Sequence, residues 1–297
     1  MPLNADQLHA FWTVVQTGSY HRAAEALFVT QSAITQRIQA LENALGQKLF
    51  IRVGRGFTLT EAGRTLSRYC REQSQAEDRL RMELQGGGNG LAGRLSVASG
   101  SVEGCQWLLP EVAKLGREHP DLDITLRVDE GIDPVALLES GKVDAVLSEM
   151  PLRRRGIRST RIGTMAYQLT LASELGTDWP DEPSSATLKT TRIIDFSPRD
   201  RVTLDHLERC LPGEDVSDLR RHFVNDTMAL LGWILAGGGT SALPIPLIRP
   251  HLEAGRLRIL FPGITTQRPL YWASPEGSRS PAAQLAMERL KERLKHS

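Results

Sequence analysis

The run Gly86-Gly87-Gly88-Asn89-Gly90 divides this chain. Four glycines in five positions carry too much backbone entropy for a helix or strand to cross. The 297 residues are therefore read as an N-terminal piece, a flexible hinge and a larger piece from residue 91 onward.

The N-terminal piece has a helical period. Leu8, Phe11, Trp12 and Val15 share one face of a helix over 6–15. Thr17-Gly18-Ser19 breaks it, and Ser19 suits the cap of a second helix over 21–28, whose small Ala23 and Ala24 permit close packing. After a short turn, Thr30 caps a third helix that begins at Gln31. In QSAITQRIQALENALGQKLF, Ile34, Ile38, Leu41 and Leu45 form a buried stripe. Ser32, Gln36 and Gln39 lie on the opposite face, with Thr35 at its edge. A solvated face is more usually rich in Lys and Glu; short hydroxyls and amides suit reading base edges in a major groove. Helix, tight turn, helix is the helix-turn-helix arrangement. Ser32, Thr35 and Gln36 are the expected base readers, flanked by Gln31 and Arg37 at base or phosphate.

The next stretch, IRVGRGFTLTEAG, reads as a winged hairpin that projects Arg52 and Arg55 toward phosphates or a minor groove. A solvated hairpin with incidental arginines is the plainer reading of the same residues. Net charge is only +1, so any DNA affinity must come from such a local patch. Thr60 then caps a long helix over 61–85. Along it Leu66, Tyr69, Gln73, Ala76 and Leu80 follow the spacing of a short heptad seam, which points to dimerisation rather than to packing on its own domain.

Beyond the hinge, strands are expected over 94–99, 122–128 and 143–147, with helices through Trp107 to Leu115 and over 135–140. Strands over 158–162 and 168–173 follow. A second unit has strands at 192–196, 221–224 and 240–243 and helices at 203–211 and 227–236. Strands at 257–261 and 269–273 and a helix over 281–295 complete the chain. Alternating strands and helices imply a parallel or mixed sheet with crossover helices.

In such sheets ligands sit beyond the carboxyl ends of strands, near helix N-termini. Ser99, Ser101 and Thr227 stand there as a cradle for a carboxylate. Asp129, Glu130, Glu149, Asp200 and Asp226 are placed to pair with a cation, and Trp107 to supply apolar lining. The mixture suits a basic amino acid. The plainer reading is that each acid caps a helix or faces water, above all Asp226, which directly precedes a helix.

Other classes find less support. The chain has no G-x-S-x-G, H-E-x-x-H, Walker or strand-borne G-x-G-x-x-G motif, so no enzyme is expected. Neither a metal nor a cofactor is implied: the seven histidines form no i, i+4 pair. Cys70, Cys105 and Cys210 are too far apart for a metal or disulfide framework. A freestanding carrier would leave the base-reading helix without a role. No leader or membrane-length apolar run is evident, so a cytoplasmic protein is expected.

Several pieces together resemble the LysR-type transcriptional regulators: Arg22-Ala23-Ala24-Glu25-Ala26-Leu27, Gln31-Ser32-Ala33-Ile34-Thr35, Ile38, Leu41-Glu42, Gly46 to Phe50, Arg52, Arg55 and Leu59-Thr60-Glu61-Ala62-Gly63. Thr35 and His21 stand where the family more often has Ser. The resemblance implies a winged helix-turn-helix over 1–60, a linker helix and hinge over 61–90, and an effector domain over 91–297. That domain would be two-lobed α/β, like a periplasmic solute-binding protein. Crossings near Ala166-Tyr167 and Arg268-Pro269 would leave 91–166 with 269–297 in lobe one and 167–268 in lobe two. It further implies double-stranded promoter DNA, a small-molecule effector, RNA polymerase and dimer or tetramer assembly as partners. Trp107-Leu108-Leu109-Pro110, Val128-Asp129-Glu130, Val224-Asn225 and Pro269-Leu270-Tyr271-Trp272 resemble the subgroup that senses lysine and arginine and controls amino-acid export. A different effector class, including redox sensing through Cys105 and Cys210, is the alternative.

Overall fold

The computed structural model describes residues 3–54, 56–84, 91–175, 179–278 and 280–295. Arg55 and the glycine hinge therefore lie outside the described residues.

Three helices open the chain: α1 (Ala5–Thr17), α2 (Tyr20–Ala26) and α3 (Gln31–Leu45). Asn4, Ser19 and Thr30 cap them by accepting from backbone N–H groups of the first turn. The helix expected over 21–28 stops at Ala26, because Phe28 takes φ 54° and turns the chain toward α3. Phe11, Val14, Ala23, Ile34, Ile38 and Leu41 form one core. Strands β1 (Phe50–Val53) and β2 (Gly56–Leu59) pair as an antiparallel wing. Phe50 packs against Phe11, Tyr20 and Phe57 at centroid distances of 5.3, 5.9 and 4.8 Å. Glu42, buried on α3, ties helix to wing: Oε1 accepts the Leu49 N–H at 2.9 Å and Oε2 accepts from Lys48 at 2.6 Å.

Helix α4 (Glu61–Leu84) starts under the wing. Gly63 lets it approach so closely that a Cβ there would overlap the Leu49 carbonyl oxygen. The expected seam divides at this end. Leu66 is buried in the core of its own N-terminal domain, whereas Tyr69, Gln73, Ala76 and Leu80 are exposed.

The C-terminal part is a mixed sheet, and its elements follow in chain order. Strand β3 (Gly93–Ser99) leads through a π-helical turn (Glu103–Leu108) into α5 (Leu109–Glu118), β4 (Leu122–Val128), α6 (Pro134–Glu139) and β5 (Ala145–Ser148). Next come β6 (Ile157–Ala172), α7 (Ser185–Leu188), β7 (Ile193–Asp195), α8 (Val202–Cys210), β8 (Arg221–Phe223), α9 (Thr227–Leu235) and β9 (Thr240–Pro244). Helix α10 (Ile245–Glu253), β10 (Leu257–Ile259), β11 (Thr266–Pro275) and α11 (Pro281–Lys295) finish it. The strand order is β4-β3-β5-β11-β6-β9-β7-β8, with β10 also on β6. Parallel strands β4, β3 and β5 belong to one lobe, and β9, β7 and β8 to the other.

Two strands join the lobes. The separate strands expected at 158–162 and 168–173 are one 16-residue strand, β6. It runs antiparallel to β11, with Tyr167 opposite Thr266 and Met165 opposite Arg268. Its interior Gly163 and Thr164 read as a break in sequence, yet both pair with β11. Helix α10 escaped the periodicity because prolines stand at its start and at Pro250.

The N-terminal domain also touches lobe one of the same chain. Ser67 Oγ donates to the Ser140 carbonyl at 2.7 Å, Arg71 Nη1 to that of Leu138 at 3.2 Å, and Gln16 Nε2 to that of Gly141 at 2.9 Å. All three acceptors lie at or just beyond the C-terminus of α6, where carbonyls lack helical partners.

Candidate nucleic-acid interface and effector cleft

Helix α3 presents Gln31, Ser32, Thr35 and Gln36 to solvent, with Arg37 half-buried beside them. Two of the hydroxyls are engaged locally: Thr35 Oγ1 donates to the Gln31 carbonyl at 3.0 Å, and Ser32 Oγ lies 2.9 Å from Thr30 Oγ1. Gln36 is fully available. Arg52 is exposed on β1, opposite Phe57 of the wing, and Arg55 falls outside the described residues.

The cleft is a cavity of about 350 Å³ where the two lobes meet. Asp129 and Glu130 reach it from the end of β4, Glu149 from the end of β5, and Asp200 and Thr227 from the far lobe. Glu103, Tyr167 and Phe196 line it as well. Five carboxyl groups thus share one cavity, and among the described residues its lining holds no Lys, Arg or His.

The carboxyls are held in place. Glu130 Oε1 accepts from the Ser101 N–H at 3.1 Å and from Thr227 Oγ1 at 3.4 Å, so it touches both lobes. The Tyr167 hydroxyl donates to Glu149. Burial, reinforced by Glu149 and Glu130, raises the Glu103 pKa to about 8. Burial also raises Glu149, against the lowering effect of the Tyr167 hydrogen bond. It raises the Tyr167 phenol too, and the neighbouring Glu149 adds to this. Crowded acids resist ionisation until a cation joins them.

Four residues expected here are placed elsewhere. Ser99 is buried beneath the π-helical turn, where a Cβ on Gly104 would strike its hydroxyl. Ser101 contributes its backbone to Glu130 but does not line the cavity. Trp107 is turned by the π-helical turn into the lobe core, with the Arg293 guanidinium 5.9 Å from its ring centroid. Asp226 caps α9, accepting the Ala229 N–H at 2.7 Å. Glu103 and Tyr167, in turn, line the cavity without a sequence pattern that singles them out. Glu103 is four residues past β3, within reach of the strand-end rule, and Tyr167 stands at the crossing between the lobes. The two cysteines weighed for redox chemistry sit in different lobes. Cys105 is exposed, and burial raises the Cys210 thiol to about 11, away from reactive thiolate.

Two family models cover nearly all of the chain. Residues 5–64 match the bacterial regulatory helix-turn-helix protein, lysR family, and residues 88–295 match the LysR substrate binding domain. The chain belongs to the LysR family. Among LysR relatives, the HTH-type transcriptional activator AaeR of Escherichia coli (strain K12) is 28% identical over 280 residues, covering 93% of this chain and 88% of AaeR. The HTH-type transcriptional regulator ArgP of Cronobacter sakazakii is 30% identical over 271 residues, covering 89% and 88%. The crystal structure of ArgP from Mycobacterium tuberculosis superposes with a TM-score of 0.76 at 25% identity, over 98% and 97% of the two chains. Full-length LysG from Corynebacterium glutamicum, solved with bound effector Arg, gives a TM-score of 0.69 at 24% identity, over 98% of each chain. The protein is thus a DNA-binding transcriptional regulator with an effector-binding domain, and not an enzyme. LysR regulators act on promoter DNA, respond to small molecules and form oligomers. Among the described residues no helix is long and apolar enough to cross a membrane.

Proposed function

We propose that this LysR regulator senses a basic amino acid, lysine or arginine. The observation that carries the reading is the cleft itself: Glu103, Asp129, Glu130, Glu149 and Asp200 line one cavity without a basic residue among them. A ligand ammonium or guanidinium supplies the missing positive charge, and Thr227 with nearby backbone N–H groups suits its carboxylate. The effector arginine of LysG, a neighbour in fold, agrees with this chemistry.

The division of labour follows the elements. Residues 1–60 read DNA, 61–90 pair subunits and form the hinge, and 91–297 sense the ligand. Lobe one comprises 91–166 and 269–297, and lobe two 167–268. On DNA, Ser32, Thr35 and Gln36 read bases, Gln31 and Arg37 flank them, and Arg52 and Arg55 hold phosphates. The proposed output is control of RNA polymerase at the promoter of an amino-acid exporter. Fluorescence anisotropy on that promoter tests the reading: lysine or arginine should shift the binding curve or the stoichiometry, and glutamate should not. Equal curves with and without basic amino acids would refute it.

A further inference from the structure

A second cavity, of about 770 Å³, lies at the junction of α4 with lobe one, apart from the effector cleft. Arg64, Arg68 and Arg71 enter it from one face of α4, three and four residues apart. Arg153, Arg154 and Arg155 enter from the connection between β5 and β6. Glu61, Glu139 and Glu276 are the acids of the lining. Six guanidinium groups against three carboxylates leave a surplus of three positive charges.

Two of the three acids are already taken up. Glu61 pairs with Arg64 at 2.8 Å, and Glu139 pairs with Arg154 at 2.7 Å and lies 4.0 Å from Arg64. Arg68, Arg153 and Arg155 form no ion pair within 4.0 Å among the described residues, although, after the Arg64 hydrogen bond, nearby Arg68 also helps lower the Glu61 pKa. Arg68 instead reaches across to the lobe: a Cβ on Gly156 would stand 3.5 Å from its Nη1. Arg71 is 93% buried by neighbours yet still borders the cavity, with 7% of its surface exposed. Burial, against the nearby Asp144 and Glu72, holds its guanidinium below the usual value. A buried cation facing a cavity with surplus positive charge is stabilised by an anion. Forked guanidinium groups converging from two sides suit the oxygens of phosphate rather than a single carboxylate.

We infer that this cavity is a second ligand site, one that takes a multivalent phosphate-bearing anion such as the diphosphate of a nucleotide. Its walls come from the linker helix and from lobe one, so an occupant fastens the DNA-binding part to the sensor. The connection after β5 serves both cavities: Ser148, Glu149 and Met150 line the cleft, and residues 153–157 line the arginine site. Occupancy of one site is thereby placed to alter the other through a short, shared segment.

The test is calorimetric titration of the full-length protein, without amino acid, with sodium pyrophosphate at fixed ionic strength. Arg68→Ala, Arg153→Ala and Arg155→Ala are compared with Arg158→Ala, an exposed arginine that does not line the cavity. The expected result is saturable binding, one anion per chain, weakened about tenfold or more in each of the first three variants, the size of effect a charge-assisted hydrogen bond supports, and unchanged in the fourth. Pyrophosphate should also raise the melting temperature of the parent but not of Arg68→Ala. Circular dichroism shows whether each variant is folded, and Arg68→Lys provides a variant that keeps the charge but loses the fork. No binding to the parent, equal binding to all variants, or equal loss in Arg158→Ala would each overturn the inference. So would loss of promoter affinity in the variants without pyrophosphate binding, which would make the arginines contacts to DNA phosphates.

Discussion

Thr227 Oγ1 stands 3.4 Å from Glu130 Oε1, and this hydrogen bond spans the cleft from the start of α9 to the end of β4. A bound ammonium group would compete for the same carboxylate. Thr227→Val should therefore weaken effector binding less than Glu130→Gln. A long hydrogen bond contributes about 1 kcal/mol, whereas a buried charge-assisted contact contributes ~1.5–3 kcal/mol, or roughly tenfold and more in affinity. Titration calorimetry on the two variants decides the order, and a larger loss in Thr227→Val would contradict it.

Effector binding should release protons. Burial pushes the Glu103 pKa up to about 8, so at neutral pH it is mostly protonated, and a cationic ligand favours its ionised form. Affinity should rise with pH up to about 8 and then level off. Stability of the unliganded protein should move the other way. Between 4.5, the ordinary value, and about 8 the folded state binds the extra proton, so stability is full at the acid end and falls as pH rises. Binding enthalpies measured at pH 7 in buffers of different ionisation heat read the proton release directly. Glu103→Gln should abolish the buffer dependence.

On DNA, Gln36 and Arg52 should behave differently. Gln36→Ala removes an available amide from the reading face and should relax sequence preference at one position, at a cost of ~1–3 kcal/mol for the preferred base. Arg52→Ala should weaken all sequences alike and lower the salt slope by about one. Binding to a panel of operator variants at several salt concentrations separates the two effects.

The exposed stretch of α4 should hold subunits together. Tyr69 is 43% and Leu80 53% exposed, and together with Ala76 they present an apolar stripe. Leu80→Glu should shift the protein toward monomer in sedimentation at micromolar concentration, without altering the fold of the N-terminal domain. Leu66, being core, should instead destabilise that domain when cut to Ala, by ~2–5 kcal/mol.

The stripe of α3 was legible in sequence because burial on a helix imposes a period, and Ile34, Ile38 and Leu41 obey it. Glu42 was not, since a glutamate beside a buried stripe looks solvated until Lys48 and Leu49 fold back onto it. In the cleft, strand ends marked where Asp129, Glu130, Glu149, Asp200 and Thr227 would meet. They do not mark which way the following turn faces. The π-helical turn sends Glu103 to the cavity and Trp107 to the core, a rotation that no two-residue or 3.6-residue pattern encodes. Tyr167 was hidden for a different reason: it lies in the middle of a strand whose small and polar residues resemble a gap.

The acidic cleft is proposed to hold a basic amino acid. Calorimetric titration of the full-length protein with L-lysine, L-arginine and L-glutamate tests it most directly, with Glu149→Gln alongside. Saturable binding of lysine or arginine, at one ligand per chain, with none for glutamate and at least a tenfold loss in Glu149→Gln, is the predicted result. Binding of glutamate with no binding of either basic amino acid would contradict it.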